Sequence, residues 1–244
     1  MGPKNDEMTK PIEYNSATKA LRALADPRRA IVSRGFFKDS GGDVFLGVSM
    51  PALRKLARVF KDMPLPHVRK LMQSRIHEER SLANEILRLK FSKGEAQEQK
   101  KVFDFYVKNL RLIREWDSVD GTAPYIAGAY LLNRDKSLLY QLARSKRIWD
   151  RRIAMVTTWW FIRHGQIEDA LRIAEMLLHD EEDLIHKAVG WMLREAGQKD
   201  SQALRNFLDL HRAIMPRTTL RYAIEKFSPA ERKAYMKKTI SNQR

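Results

Sequence analysis

Apolar residues recur every three to four positions along almost the whole of this 244-residue chain, and no stretch alternates apolar with polar for long. That periodicity predicts helices throughout and no sheet. ATKALRALADPRRAIVSRGFF reads as two helices divided at Asp26-Pro27, with Pro27 suited to a first helical turn. KDSGGDVFLGVS is the one long loop. SMPALRKLARVF then opens a helix with Ser49 as N-cap and Pro51 just inside it. Further helices are predicted near 64–75, 78–91, 95–110, 116–133, 135–146, 149–164, 166–178, 182–197, 200–209, 217–226 and 229–238.

Short helices joined by short polar turns form either a bundle or a solenoid of helix pairs. Three tryptophan-bearing apolar segments recur: EWDSVDGTAPYIAGAYLL, IWDRRIAMVTTWWFI and LIHKAVGWMLREA. Their marked residues Trp116, Arg152 and Trp191 lie 36 and then 39 positions apart, near the ~40-residue period of HEAT or armadillo units. The expected fold is therefore all-α, a superhelical stack of HEAT-like antiparallel helix pairs with a concave basic face. One domain is expected over 16–238, with flexible ends at 1–15 and 239–244. A generic helical bundle is the plainer alternative.

The charge is one-sided. Forty-six Lys and Arg against 30 Asp and Glu leave +16, more than solubility requires, which points to a polyanionic partner, nucleic acid first and anionic membrane second. At 43% hydrophobic and 31% charged, the chain has enough apolar material for a core, so disorder is excluded except at the ends. With no cysteine, there is no disulfide, thiolate zinc site or cysteine nucleophile. No signal-type apolar run opens the chain, the myristoylation pattern fails at Asp6, and nothing approaches the ~20 apolar residues a bilayer demands. A soluble, cytoplasmic protein with no membrane partner is expected.

Familiar catalytic loops are absent: there is no Walker A, GxGxxG, GxSxG or HExxH pattern. The six histidines, His67, His77, His164, His179, His186 and His211, show no metal-ligand spacing, so surface or capping roles and no metal are expected. Chemistry falls to acids, aromatics and arginines. In REWDSVDG, Trp116 and Asp120 are four apart and share a helix face. Read alone, this is a helix start with Asp117 as N-cap, Asp120 favoured by the helix dipole, and Trp116 in the core. In IWDRRIAMV, the stripe Ile148, Trp149, Ile153 and Val156 forces at least one of Arg151 and Arg152 to its edge, where arginine pairs a carboxylate or grips a phosphate. Trp191, between Gly190 and Met192, reads as core packing by default.

One carboxylate, two indoles and an arginine make a poor general acid–base machine, since most glycoside hydrolases need two carboxylates. An N-alkylated purine differs, because the base is already cationic and leaves without a proton donor. One carboxylate then suffices to stabilise the oxocarbenium-like sugar and orient water, and aromatic faces suit the same cation.

At these residues the chain resembles the AlkD family of bacterial DNA alkylation-repair glycosylases, built from HEAT-like repeats. EWDSVD is similar to the family's W-W-D-x-V-D, IWDRRIAM to I-W-x-x-R-x-A, and KAVGWMLREAG to K-A-I-G-W-x-L-R-E. FFKDSGGDVFLGVSMPALRKLA resembles its loop ending in F-x-G-V-x-x-P-x-x-R, and MPRTTLRYAIEKF its C-terminal helix; the likeness runs from about 17 to 228. The resemblance implies Asp120 as catalytic carboxylate, Trp116 and Trp191 against the deoxyribose of the damaged nucleotide, and Arg152 on the backbone beside it. Lys187 and Arg194, in the third motif, join the DNA-binding set. It further implies a monomer without cofactor, associated with the nucleoid, that releases N3- and N7-alkylated purines from duplex DNA without flipping them into a pocket. Glu115 stands where the family often has a second aromatic, either as an exposed turn residue or as one that reshapes the site. Two rival readings are a non-catalytic binder of DNA or structured nucleic acid on the same scaffold and a protein-interaction solenoid.

Overall fold

The computed structural model describes residues 13–37 and 42–237, and among them every regular element is helical apart from one isolated parallel bridge, Val44↔Ile76. The described residues group into two units divided between Leu112 and Ile113. No described helix is long and apolar enough to cross a membrane.

The first unit holds α1 (Tyr14–Arg22), α2 (Pro27–Arg34), α3 (Met50–Val59), α4 (Leu65–Met72), α5 (His77–Lys93) and α6 (Ala96–Lys108), closed by a 3-10 turn at Leu110–Leu112. Helix α1 starts at Tyr14, inside the segment 1–15 expected to be a flexible end. Residues 1–12 and 239–244 lie outside the described residues. Asp26 caps α2 by accepting from the Arg28 and Arg29 N–H groups, and Ser49 accepts from the Ala52 N–H at the start of α3, with a proline in each first turn as expected.

Helix α5 is the axis of this unit. Leu82, Ala83, Ile86 and Leu87 are fully buried on it, and so is a run of polar residues that periodicity did not foretell. Glu78 accepts from the Leu46 and Gly47 N–H groups at 2.8 and 2.7 Å, which holds the described part of the long loop against the helix. Gly47 sits at φ 78°, and a Cβ there would lie 2.1 Å from the Asp26 carbonyl oxygen, so only glycine fits. Arg80 donates to the Ser74 carbonyl and to Asp43, and Glu79 accepts from Tyr14 and Arg22. The expected surface role fails for two histidines. His77 is buried and stacks on Phe45 at 4.8 Å, and His211 is buried against Phe207 at 4.5 Å.

The second unit holds α7 (Trp116–Thr122), a π-helical turn (Pro124–Gly128), α8 (Ala129–Leu131), α9 (Ser137–Ala143), α10 (Ile148–Arg163), α11 (Glu168–Met176), α12 (Asp183–Lys199), α13 (Ser201–His211), α14 (Arg217–Ala223) and α15 (Pro229–Met236). The single helix expected over 116–133 is interrupted. Pro124 has no N–H to offer the carbonyl of Asp120, and the Gly128 N–H instead reaches back five residues to Ala123 at 2.9 Å.

Contacts between successive long helices advance in the same direction along both partners. Asp120 meets Arg152, Tyr125 meets Trp159, and Gly128 lies against Trp160, so α7 with its π turn runs parallel to α10. His186 meets Thr219, Gly190 lies against Tyr222, and Arg194 meets Glu225, so α12 runs parallel to α14. Arg151 and Arg152, in the first turn of α10, reach Asp180 and the Leu184 carbonyl at the start of α12. These helices form one layer of like-directed elements, with α9, α11 and α13 intervening in sequence between successive members. The bonded pairs across this layer lie 29 to 33 residues apart, with 32 for both partners of Arg152. The expected period near 40 is therefore corrected. Trp116, Arg152 and Trp191 do not hold equivalent places in the repeat, because their spacings mix the repeat length with different depths along each helix.

Candidate active site

Seven residues form α7, and its first turn explains REWDSVDG. Glu115 occupies the N-cap position with extended backbone, while Asp117 lies one place inside Trp116. The expected Asp117 N-cap is thus displaced by two positions; its carboxylate accepts from the Ser118 N–H at 2.7 Å within the first turn. Glu115 is buried at 6% exposure and accepts from the Ser118 hydroxyl at 3.0 Å, so it is not an exposed turn residue. Trp116 and Asp120 are both half-buried and fall four apart on this helix, as their spacing predicts.

Asp120 meets Arg152 in a fork-to-fork pair. Arg152 Nε donates to Oδ1 at 3.1 Å and Nη2 to Oδ2 at 2.8 Å, while Nη1 donates to the Leu184 carbonyl at 2.6 Å. Three of the five guanidinium N–H groups are thereby engaged, and the residue is 5% exposed. The fork fixes the plane of the carboxylate as well as its position. Burial pushes the Asp120 carboxyl above the usual aspartate range; the Arg152 charge and hydrogen bonds pull against this, and nearby Asp117 adds to the rise. The Asp120 side chain keeps 21% exposure, so solvent reaches the face that Arg152 leaves open.

Both arginines at the edge of the α10 stripe prove to pair carboxylates. Arg151 turns the other way, bonding Asp180 at 2.5 and 3.2 Å and the Ser145 and Lys146 carbonyls. The other motif residues lie on α12. Trp191 is half-buried rather than wholly in the core, and its indole N–H donates to Glu195 at 3.2 Å. Lys187 pairs Asp183 at 2.7 Å on the exposed first turns, and Arg194 is held between Glu195 and Glu225. Asp120 and Arg152 are thus in direct contact, with α12 tied to them through the Leu184 carbonyl. That carbonyl leaves no mark in residue identity, since any residue supplies one. Pro124, four places after Asp120, was the readable sign of the altered helix beside it.

A layer of like-directed helices with one further helix between successive members, repeating every 32 residues or so, defines an all-α protein of the HEAT-like repeat class. Two solved structures share this fold. One is described as a predicted DNA alkylation repair enzyme from Enterococcus faecalis; it matches with a TM-score of 0.67 at 16% identity, covering 84% of this chain and 98% of its own. The other is described as a new family related to the HEAT-like repeat DNA glycosylases with affinity for branched DNA structures; it matches with a TM-score of 0.58 at 11% identity, covering 86% of this chain and 83% of its own. Among curated proteins none matches by sequence. The family model described as DNA alkylation repair enzyme matches residues 17–227, and the chain belongs to that family.

Proposed function

We propose that this protein is a DNA N-glycosylase that releases cationic N3- and N7-alkylated purines from duplex DNA, with Asp120 as the catalytic carboxylate. The observation that carries the reading is the Asp120–Arg152 fork: a partly buried carboxylate held in a fixed plane that still keeps 21% exposure to solvent. Membership of a DNA alkylation repair family and the net charge of +16 support DNA as the partner.

The chemistry needs no proton donor. The alkylated base leaves with the electron pair of the glycosidic bond, which cancels its positive charge, and the sugar carbon becomes oxocarbenium-like. Asp120 stabilises that cation and orients the water that adds to it, taking up the water's proton. Trp116, one turn before Asp120, offers its ring face to the sugar cation, and Trp191 on α12 does the same. Arg152 orients Asp120 and leaves two N–H groups for a phosphate beside the lesion. Lys187 and Arg194 add phosphate contacts on α12.

The test is base release from duplex DNA carrying 7-methylguanine, comparing wild type with Asp120→Asn at matched folding. Release by wild type well above the spontaneous rate, falling about a hundredfold or more in the variant, is expected for loss of a group that stabilises transition-state charge. A wild type that releases nothing sinks the enzyme, and an unaffected variant sinks Asp120. A second reading, a non-catalytic DNA binder on the same scaffold, is favoured by the neighbour described as having affinity for branched DNA. It predicts tight binding of four-way junction DNA with no base release.

A further inference from the structure

The register that brings Asp120 to Arg152 continues along the same helices to a second cluster. Tyr125, in the π turn, meets Trp159 with ring centroids 5.8 Å apart at 55°, and the Arg163 guanidinium lies over the Trp159 ring at 5.6 Å. Trp159 follows Arg152 by seven residues and Arg163 follows Trp159 by four, so all three stand in one row on α10. Tyr125 and Trp159 are each part-exposed, and Arg163 is exposed. Trp160, part-exposed like the other two rings, stands edge-on to Tyr125 at 6.0 Å and packs on Gly128.

We propose that Tyr125, Trp159 and Arg163 form a second nucleotide subsite, with the rings packed on a deoxyribose and Arg163 on its phosphate. The inference rests on the reading of Asp120 as a DNA-facing site. The seven residues from Arg152 to Trp159 rise about 10.5 Å along α10, so the subsite holds the backbone at a nucleotide other than the lesion. A row of half-exposed aromatics with a cation above them matches an apolar sugar face joined to an anion. The π turn is what places Tyr125 here: in an uninterrupted α-helix the residues after Asp120 would be turned differently.

The test measures binding of an undamaged duplex across a salt series, alongside base release from the 7-methylguanine duplex. Arg163→Gln, at an exposed position, is expected to lower the slope of log K against log salt by about one, the signature of one lost phosphate contact. Trp159→Leu is expected to weaken binding at least about fivefold, the low end for loss of an aromatic contact to nucleic acid. Trp159→Phe should recover much of that loss. Thermal unfolding is followed for each variant; if Trp159→Leu does not fold, the Arg163→Gln slope decides. An unchanged slope in Arg163→Gln with Asp120-dependent base release intact overturns the subsite and leaves the glycosylase reading standing. A reduced slope without base release by wild type keeps the subsite as a DNA contact and removes the enzyme. A wild type that does not bind duplex DNA overturns both.

Discussion

Arg151 and Arg152 are neighbours in sequence, yet their guanidinium groups leave α10 toward different acids, Asp180 and Asp120. The difference bears on chemistry. On the proposed mechanism Asp120 works as a carboxylate, and because burial raises its pKa above the ordinary aspartate value, base release is expected to be lost as pH falls through that raised pKa. Arg152→Gln removes the cation that pulls that pKa down. The acid limb should then move to still higher pH, and the maximal rate should fall as the carboxylate loses its fixed plane. Single-turnover base release from pH 4 upward, at about half-unit steps, reads the limb directly. A limb that stays put or moves to lower pH would contradict the geometry. Arg152→Ala is also expected to destabilise the protein by about 3 kcal/mol, the lower part of the range for breaking a buried pair, because Asp120 retains some solvent.

Between helices, close approach is set by glycine. A Cβ on Gly190 would lie 2.5 Å from the Tyr222 Cβ and 2.6 Å from the Thr219 carbonyl oxygen, while one on Gly121 would meet nothing within 4 Å. Gly190→Ala should therefore cost about 1–3 kcal/mol or more by forcing α12 and α14 apart, and Gly121→Ala should gain up to about 1 kcal/mol from helix propensity. Opposite shifts of the urea midpoint are the expected result. Much at this scale was legible beforehand. Apolar periodicity located the helices, and prolines with Asp26 and Ser49 located two starts. The apolar stripe of α10 required an arginine at its edge, and both arginines there found acids. What stayed hidden has physical causes. Glu78, Glu79 and Arg80 look like a solvated charge run, but each is buried with its partners supplied by distant segments. The repeat length was misread because tryptophans mark different depths of successive helices, whereas the register is carried by contacts such as Gly128 with Trp160 and Gly190 with Tyr222.

For the molecule as a whole, a net charge of +16 makes affinity for DNA a matter of ionic strength. Binding to undamaged duplex is expected to fall about a hundredfold or more between 50 and 200 mM salt, the drop for four or more neutralised phosphates. A fall of only a few fold would point to a partner recognised by other means. The Arg152 fork carries a consequence of a different kind. Its three bonds join α7, α10 and α12, elements that belong to successive repeats and come together only after the intervening segments have folded back. In a linear array each repeat gains stability from its immediate neighbours. A carboxylate oriented through three of them is set only when all three have docked, and it loses its orientation as soon as one peels away. On the proposed reading, a chain whose repeats are not all docked presents basic residues to DNA without an oriented Asp120, so base release is expected to track full assembly of these repeats more closely than DNA binding does.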